Sequence, residues 1–162
     1  MKYKEYRTID KTGWGKGPWI DEPDKCQFAD EATGLPCLIV RNSDLGYLCG
    51  YVGVHKGHPA FGKHYDAVEA NVHGGLTFSG KCDPGPEDHG ICHTVEAGED
   101  GNVWWFGFDA AHYRDRSPLY GPPSGAYRTV AYIRDNCRSL AAQLHAMTKE
   151  NNGTVSVGSR FR

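Results

Sequence analysis

The sequence lacks any apolar run that approaches the ~18 residues of a membrane-spanning helix. It also lacks a long basic block, and its 18 Lys and Arg residues against 20 Asp and Glu residues give a formal net charge of −2. Non-specific nucleic-acid binding depends on many cationic contacts with phosphates, so it is not favoured. The first residues contain no apolar signal core, which predicts no secretion. We therefore expect a cytoplasmic protein with no membrane partner.

The six cysteines contain no C-x-x-C pair. A zinc ribbon or a thioredoxin motif is therefore not predicted. Because the cytosol keeps thiols reduced, we expect free cysteines, most of them buried as small apolar side chains.

A chain of 162 residues is long enough to bury one hydrophobic core, and we predict a single domain over residues 1–162. Aromatic residues make up 12% of the chain, and 21 glycines punctuate it, which is typical of a compact, loop-rich fold. Residues 1–25 are predicted to form an irregular arm. Residues 148–162 are predicted to form a basic, loose tail.

Short β-rich runs separated by turn residues predict a mainly antiparallel sheet with long loops. The predicted strands cover residues 26–30, 37–41, 47–54, 72–79 and 103–108. Apolar residues recur with a spacing of three or four from Thr129 to Met147, which predicts a helix there. The predicted fold class is therefore α+β, with the sheet packed against a C-terminal α-helix.

Two apolar runs, residues 72–80 and 103–112, carry polar groups that a plain core strand does not need: His73 in the first run, and Asp109 and His112 in the second. Residues three apart in a helical turn lie on one face, so Asp109 and His112 can point at the same place. If the two runs are neighbours, His73 completes a two-histidine, one-carboxylate set. Such a set binds a divalent metal, Zn²⁺, Fe²⁺ or Mn²⁺. Metal-free acid–base catalysis and plain structural hydrogen bonding are the alternatives.

Gly74 and Gly75 directly follow His73. Successive amide groups in a tight bend can bind an anion, and Thr77 lies close enough in sequence to add a hydroxyl group. The pattern therefore indicates a ligand-binding turn for a phosphate or a carboxylate. A bulge or a close strand crossing is the alternative reason for two glycines.

The long loop 81–101 contains Cys82, His89, Cys92 and His93. Four potential zinc ligands could hold together a segment that has little core of its own, although their spacing matches no zinc motif. An ordinary loop with incidental histidines and a cysteine nucleophile are the alternatives. A loop of this length is often functional.

The run 103–108 is rich in aromatic residues. Alternation along a strand puts Trp104, Phe106 and Phe108 on one face and Trp105 on the other. One face is predicted to pack under the helix. Trp105 on the opposite face could stack on a base or a sugar, with simple core packing as the alternative.

Several segments taken in order resemble one family: residues 32–41, residues 49–54, Val72-His73-Gly74-Gly75-Leu76-Thr77, and the run from Trp104 to His112. They are similar to a group of uncharacterised small proteins encoded in phage and prophage genomes, over roughly residues 20–145. The resemblance implies an accessory protein that acts inside a bacterial cell. It brings no activity with it.

The functional hypothesis that we favour is a small hydrolase of a phosphorylated or nucleotide-like ligand. His73, Asp109 and His112 would be its catalytic or metal-binding residues, and Gly74, Gly75, Thr77 and Trp105 would bind the ligand. A non-catalytic protein is the main alternative. It would bind a small molecule in the same cleft, or a host protein through a Trp-rich surface. An accessory protein of the virion without any pocket is the third hypothesis.

Overall fold

The computed structural model describes the backbone of residues 1–83 and 85–159, and the side chains of the same residues up to residue 150. Its strands are β1 (Lys4–Tyr6), β2 (Lys25–Ala29), β3 (Pro36–Arg41), β4 (Leu48–His55), β5 (Phe78–Lys81) and β6 (Val103–Asp109), and its α-helix is α1 (Val130–Ser159). The strands form one antiparallel sheet in the order β1-β2-β3-β4-β6-β5. The predicted α+β class is confirmed.

The predicted hairpin of residues 37–41 and 47–54 is present as β3 and β4, with Ile39 opposite Gly50. The predicted strand over 72–79 is wrong for most of its length, because regular pairing with β6 begins only at Phe78. Gly74 and Gly75 have φ values of 69° and 79°, in the left-handed region that a strand does not use. The amide of Gly75 donates to the Val72 carbonyl oxygen, so this segment is a turn.

Helix α1 covers one face of the sheet with the predicted apolar stripe. The hydroxyl group of Thr129 accepts a hydrogen bond from the Tyr132 amide and so caps the first turn. The residues of the stripe are buried: Val130, Ile133, Cys137, Leu140, Ala141 and Leu144. Gly50 lets α1 approach closely, since a Cβ atom there would lie 2.4 Å from the Phe108 ring and 2.9 Å from the Cys137 Sγ.

The helix does not end where the sequence pattern weakens. It continues beyond Met147 to Ser159, so the backbone of most of the predicted loose tail is helical. The last part of that predicted tail, residues 160–162, lies outside the described residues.

The other face of the sheet is covered by the loop 82–101. This face carries a second cluster of buried apolar residues, and Ile91 of the loop packs against it. The cluster consists of Leu38, Val40, Tyr51, Val103 and Trp105. The buried ammonium group of Lys25 donates to the backbone carbonyl oxygens of Glu87 and Cys92. The long loop therefore has a structural role as the second cover of the core.

A disulfide between Cys82 and Cys92 closes this loop. The prediction that all cysteines are free is therefore wrong for these two, while Cys26, Cys37, Cys49 and Cys137 are free. Sequence spacing gave no sign of the bond, because the turn that brings residues 82 and 92 together is imposed by packing on the sheet.

The arm 1–25 is more ordered than predicted, because it contains β1 and the short 3-10 helices Thr12–Trp14 and Pro18–Ile20. Arg41, whose side chain is fully buried, anchors the arm. Its guanidinium group donates to the Asp24 carboxylate, the Pro23 carbonyl oxygen and the Tyr127 hydroxyl group. Asp24 also forms an ion pair with Lys11, in which Oδ1 of Asp24 lies 2.7 Å from Nζ of Lys11. Within the described part of the chain, no helix is long and apolar enough to cross a membrane.

Candidate functional site

The predicted site residues meet at one end of the sheet. Asp109 is the last residue of β6, and the chain then turns back, with the Ala111 amide donating to the Asp109 Oδ1 at 3.0 Å. This turn brings His112 back to the end of β6, where the His112 Nε2 lies 3.2 Å from the Asp109 Oδ1. The spacing of three residues therefore does place the two side chains together, as predicted.

Asp109 and His112 form a half-buried pair. Thr77 donates to the other carboxylate oxygen of Asp109 at 3.0 Å and fixes its orientation. The His112 Nε2 is buried and has no aligned hydrogen-bond partner among the described residues, despite its contact with Asp109. Contacts of this kind are often poorly aligned in an unliganded site and tighten when a ligand binds. The exposed part of the His112 side chain, 36%, is therefore the rest of the ring, which includes Nδ1.

Gly74 is required by the position of His112. A Cβ atom at residue 74 would lie 2.1 Å from the His112 Nε2, so only glycine permits the contact. The Gly75 amide is occupied by the Val72 carbonyl oxygen, and Thr77 is occupied by Asp109. Gly74 thus permits the close approach of His112, whereas Gly75 serves the turn through its positive φ of 79° and does not offer its amide to an anion.

Asp115, which the sequence did not single out, joins the segments around the site. Its carboxylate accepts from the His73 Nε2 at 2.8 Å, from the Arg128 Nε at 2.8 Å and from the His112 amide at 3.0 Å. Burial raises the pKa of this carboxyl group, but the hydrogen bonds from Arg128, His73 and His112 outweigh burial and hold it below the usual value. Asp115 is therefore an ionised buried carboxylate.

His73 lies beside His112, with 5.8 Å between the ring centroids, so the side chains of His73, Asp109 and His112 lie close together. The predicted convergence on one accessible pocket does not include His73, which is not among the residues that line the cavity at His112. Its ring nitrogens are both engaged, Nε2 with Asp115 and Nδ1 with the Tyr132 hydroxyl group at 2.8 Å. The side chain is only 13% exposed. His73 therefore links the segment before the glycine turn to Asp115 and Tyr132.

A cavity of about 440 Å³ opens in front of this site. His112 and Asp115 form part of its wall, and Tyr47, Tyr113 and Tyr120 form much of the rest. His73 is not among the lining residues. Of the two histidines, His112 is therefore the one that lines the cavity, and its Nε2 contacts Asp109.

No group of three or more His, Cys, Asp or Glu residues is placed to hold a metal ion among the residues that the structure describes. The four-ligand zinc site predicted in the loop is wrong, because Cys82 and Cys92 are bonded to each other. Of the other two predicted ligands, His89 contacts Asp88 and His93 packs against Trp105. A Zn²⁺ or Mn²⁺ ion at His73, Asp109 and His112 stays a prediction, and the engaged nitrogens of His73 give it no support.

Trp105 is fully buried under the loop, so its predicted role in stacking on a ligand is wrong. The indole of Trp104 packs against the ring of Phe61 and donates to the Lys63 carbonyl oxygen. The aromatic side chains that line the cleft are tyrosines instead. The sequence did contain a signal for Asp115. Asp115 follows His112 by three residues, which is the same spacing that joins Asp109 to His112.

Comparisons of the chain with protein-family models, with curated proteins and with solved structures find no match. The resemblance to phage-encoded proteins therefore stays a prediction. The functional argument depends on the geometry of the cleft.

Proposed function

We propose that the protein is a small hydrolase of an anionic, phosphorylated ligand, with His112 as the proton-transfer group. The observation that carries this proposal is the Asp109–His112 pair, which is buried at Nε2 and opens on its other side to the 440 Å³ cavity. A histidine oriented by a carboxylate is the arrangement that general acid–base catalysis uses.

The chemistry that this pair supports is attack by water on a phosphate ester. His112 Nδ1 accepts a proton from the water as its oxygen bonds to phosphorus. The phosphorus–oxygen bond to the alcohol then breaks, and the same proton passes to the leaving oxygen. Asp109 stabilises the imidazolium ring between the two transfers. Thr77 holds Asp109, while Asp115 and His73 hold the turn that carries His112.

The preference for an anion is supported by the charges next to the cleft. Arg114 and Arg116 are exposed on either side of Asp115, and neither makes an ion pair with a described residue. The Asp115 carboxylate is turned inward and is neutralised by Arg128. Two exposed cationic side chains therefore flank Asp115 in sequence, and Arg116 lines a cavity that adjoins the cleft.

The proposal is tested with p-nitrophenyl phosphate, bis(p-nitrophenyl) phosphate and p-nitrophenyl acetate as chromogenic probes. Removal of a general acid–base group costs roughly 10²–10⁴-fold in rate, so His112→Gln should lose nearly all turnover of a phosphate ester. Asp109→Asn should lose less. The matched control is His64→Gln, because His64 is exposed and its neighbour Lys63 contacts Trp104 at the far end of β6. Equal rates for His112→Gln and the wild type would refute the proposal.

A non-catalytic binding protein is the second candidate. The unaligned contact between His112 and Asp109 favours it, since binding needs no proton transfer. Binding without turnover in the same assay would support it. Such a binding protein would use the cleft. A Trp-rich surface for a host protein is not supported, because Trp105 is buried. Action as a phage accessory protein in the bacterial cytoplasm belongs to the proposal in either case.

A further inference from the structure

One segment next to His112 exposes unusually large rings. Tyr113 is 91% exposed, Tyr120 is 71% exposed and Leu119 between them is 47% exposed. Exposed apolar and aromatic side chains that cluster on a folded protein mark binding surfaces more often than chance does. Both tyrosines line the cleft in front of His112, and Tyr47 adds a third ring to its wall.

The same segment carries unpaired positive charge. Arg114 and Arg116 lie between Tyr113 and Tyr120 in sequence, and their guanidinium groups make no salt bridge or hydrogen bond with the described residues. Guanidinium groups bind phosphate oxygens in a planar, two-point geometry. Rings and cations together match a ligand that is both flat and anionic.

A second cavity, of about 520 Å³, adjoins the first and shares Ser117, Tyr120, Gly121 and Pro122 with it. Arg116 lines the second cavity, whereas His112 lines the first. Tyr120 therefore lines both the cavity that His112 faces and the cavity that Arg116 faces. The first cavity alone has a volume within the range of about 300–1,000 Å³ that is typical of small-molecule sites.

We propose that the two adjoining cavities take a nucleoside monophosphate, whose base stacks on Tyr113 and Tyr120 and whose phosphate is bound by Arg116. Stacking on a tyrosine ring accepts any base, because every base has a flat π face. This inference rests on the proposed function and narrows its substrate class.

The test measures binding to the full chain by calorimetry, with AMP, GMP, CMP and UMP as probes. Adenosine supplies the ring alone, and ribose 5-phosphate supplies the phosphate alone. We expect at least one nucleoside monophosphate to bind more tightly than either fragment. Tyr120→Ala should weaken that binding by roughly 5- to 100-fold and leave ribose 5-phosphate unchanged. Arg116→Gln should weaken both phosphates and leave adenosine unchanged.

Two controls keep the test interpretable. Tyr3→Ala removes another exposed tyrosine, one that lies outside the cleft, and should leave nucleotide binding unchanged. Because Tyr120 is on the surface, Tyr120→Ala should melt at the wild-type temperature, so a loss of binding will not reflect unfolding.

The inference is overturned if none of the four nucleotides binds, or if Tyr120→Ala binds them as the wild type does. Ribose 5-phosphate binding as tightly as a nucleotide would overturn the role of the rings while leaving a phosphate hydrolase intact. A different outcome is tight nucleotide binding that depends on Tyr120, together with full turnover in His112→Gln. The nucleotide site would stand, and the proposed catalytic role of His112 would fail.

Discussion

Asp115 shows how a single buried carboxylate can organise a site. Three segments that are distant in sequence donate to it: His73 from the glycine turn, His112 from its own turn, and Arg128 from the approach to α1. Its side chain is only 2% exposed. Its donors include the charged Arg128, and loss of the Asp115 charge leaves Arg128 without a carboxylate partner.

We therefore predict that Asp115→Asn destabilises the protein. Breaking a buried ion pair by removing one partner costs about 3–5 kcal/mol, and the partial exposure of Arg128 places the expected loss at the lower end. Urea denaturation measures it. Asp88→Asn is the control, since the Asp88 side chain is 40% exposed and pairs only with His89, which lies on the surface. Equal midpoints for the two variants would show that Asp115 is not the anchor described above.

Part of the site was predictable from single residues and part was not. The contact between Asp109 and His112 follows from a spacing of three residues, which local geometry converts into proximity. The partners of His73 lie 42 and 59 residues away along the chain, so only the folded sheet decides that both of its nitrogens are engaged. Sequence reasoning therefore identified residues that lie together in the fold, but it could not tell the histidine that lines the cavity from the one whose two nitrogens are engaged.

Among the elements, the loop 82–101 differs most from its prediction. Its cysteines and histidines predict either a zinc site or an ordinary loop with incidental histidines, whereas the loop packs Ile91 and His93 over the apolar face that contains Trp105. Residues of a strand reveal by alternation that two faces are apolar, but they do not reveal which segment covers the second face. The helix was predictable because its apolar residues recur every three or four positions, and this pattern can be recognised within the segment itself.

The disulfide in this loop gives a prediction at the same scale. Alkylation of the unfolded protein without a reductant should label four cysteines and leave Cys82 and Cys92 unlabelled, as mass spectrometry would show. Reduction should lower the free energy of unfolding by about 2–4 kcal/mol, since the bond restricts the unfolded chain. Cys82→Ser should lose the same amount, and Cys49→Ser should not.

Six labelled cysteines in that experiment would contradict the disulfide. They would also agree with the reducing cytoplasm that the sequence suggested, because disulfides are rare there.

At the scale of the whole molecule, two buried carboxylates link the sheet to the segments around it. Asp24 holds the N-terminal arm through Arg41 and Lys11, and Asp115 holds the turns of the cleft. Burial raises the pKa of Asp24, but hydrogen bonds from Lys11 and from the amides of Ile9 and Thr8 outweigh it, and the net pKa is lowered. Both carboxyl groups are therefore more acidic when folded than when unfolded.

Acid should consequently destabilise the protein. The stabilising contribution of these groups is present above the unfolded pKa of about 3.9 and is lost as the pH falls through their lower folded values. We expect the urea midpoint to fall between about pH 5 and about pH 3 in the wild type. In Asp24→Asn this fall should be smaller, because one of the two groups no longer titrates. An unchanged midpoint across that range would contradict the account.

The claim that His112 is held by Asp109 at Nε2 and offers Nδ1 to the cleft is tested most directly by ¹⁵N NMR of the imidazole rings. His112→Gln assigns the His112 signals. The account predicts that neutral His112 is the Nε2–H tautomer, that Asp109→Asn shifts its Nε2 signal, and that AMP shifts its Nδ1 signal. A neutral Nδ1–H tautomer whose signals ignore both Asp109→Asn and the nucleotide would contradict it.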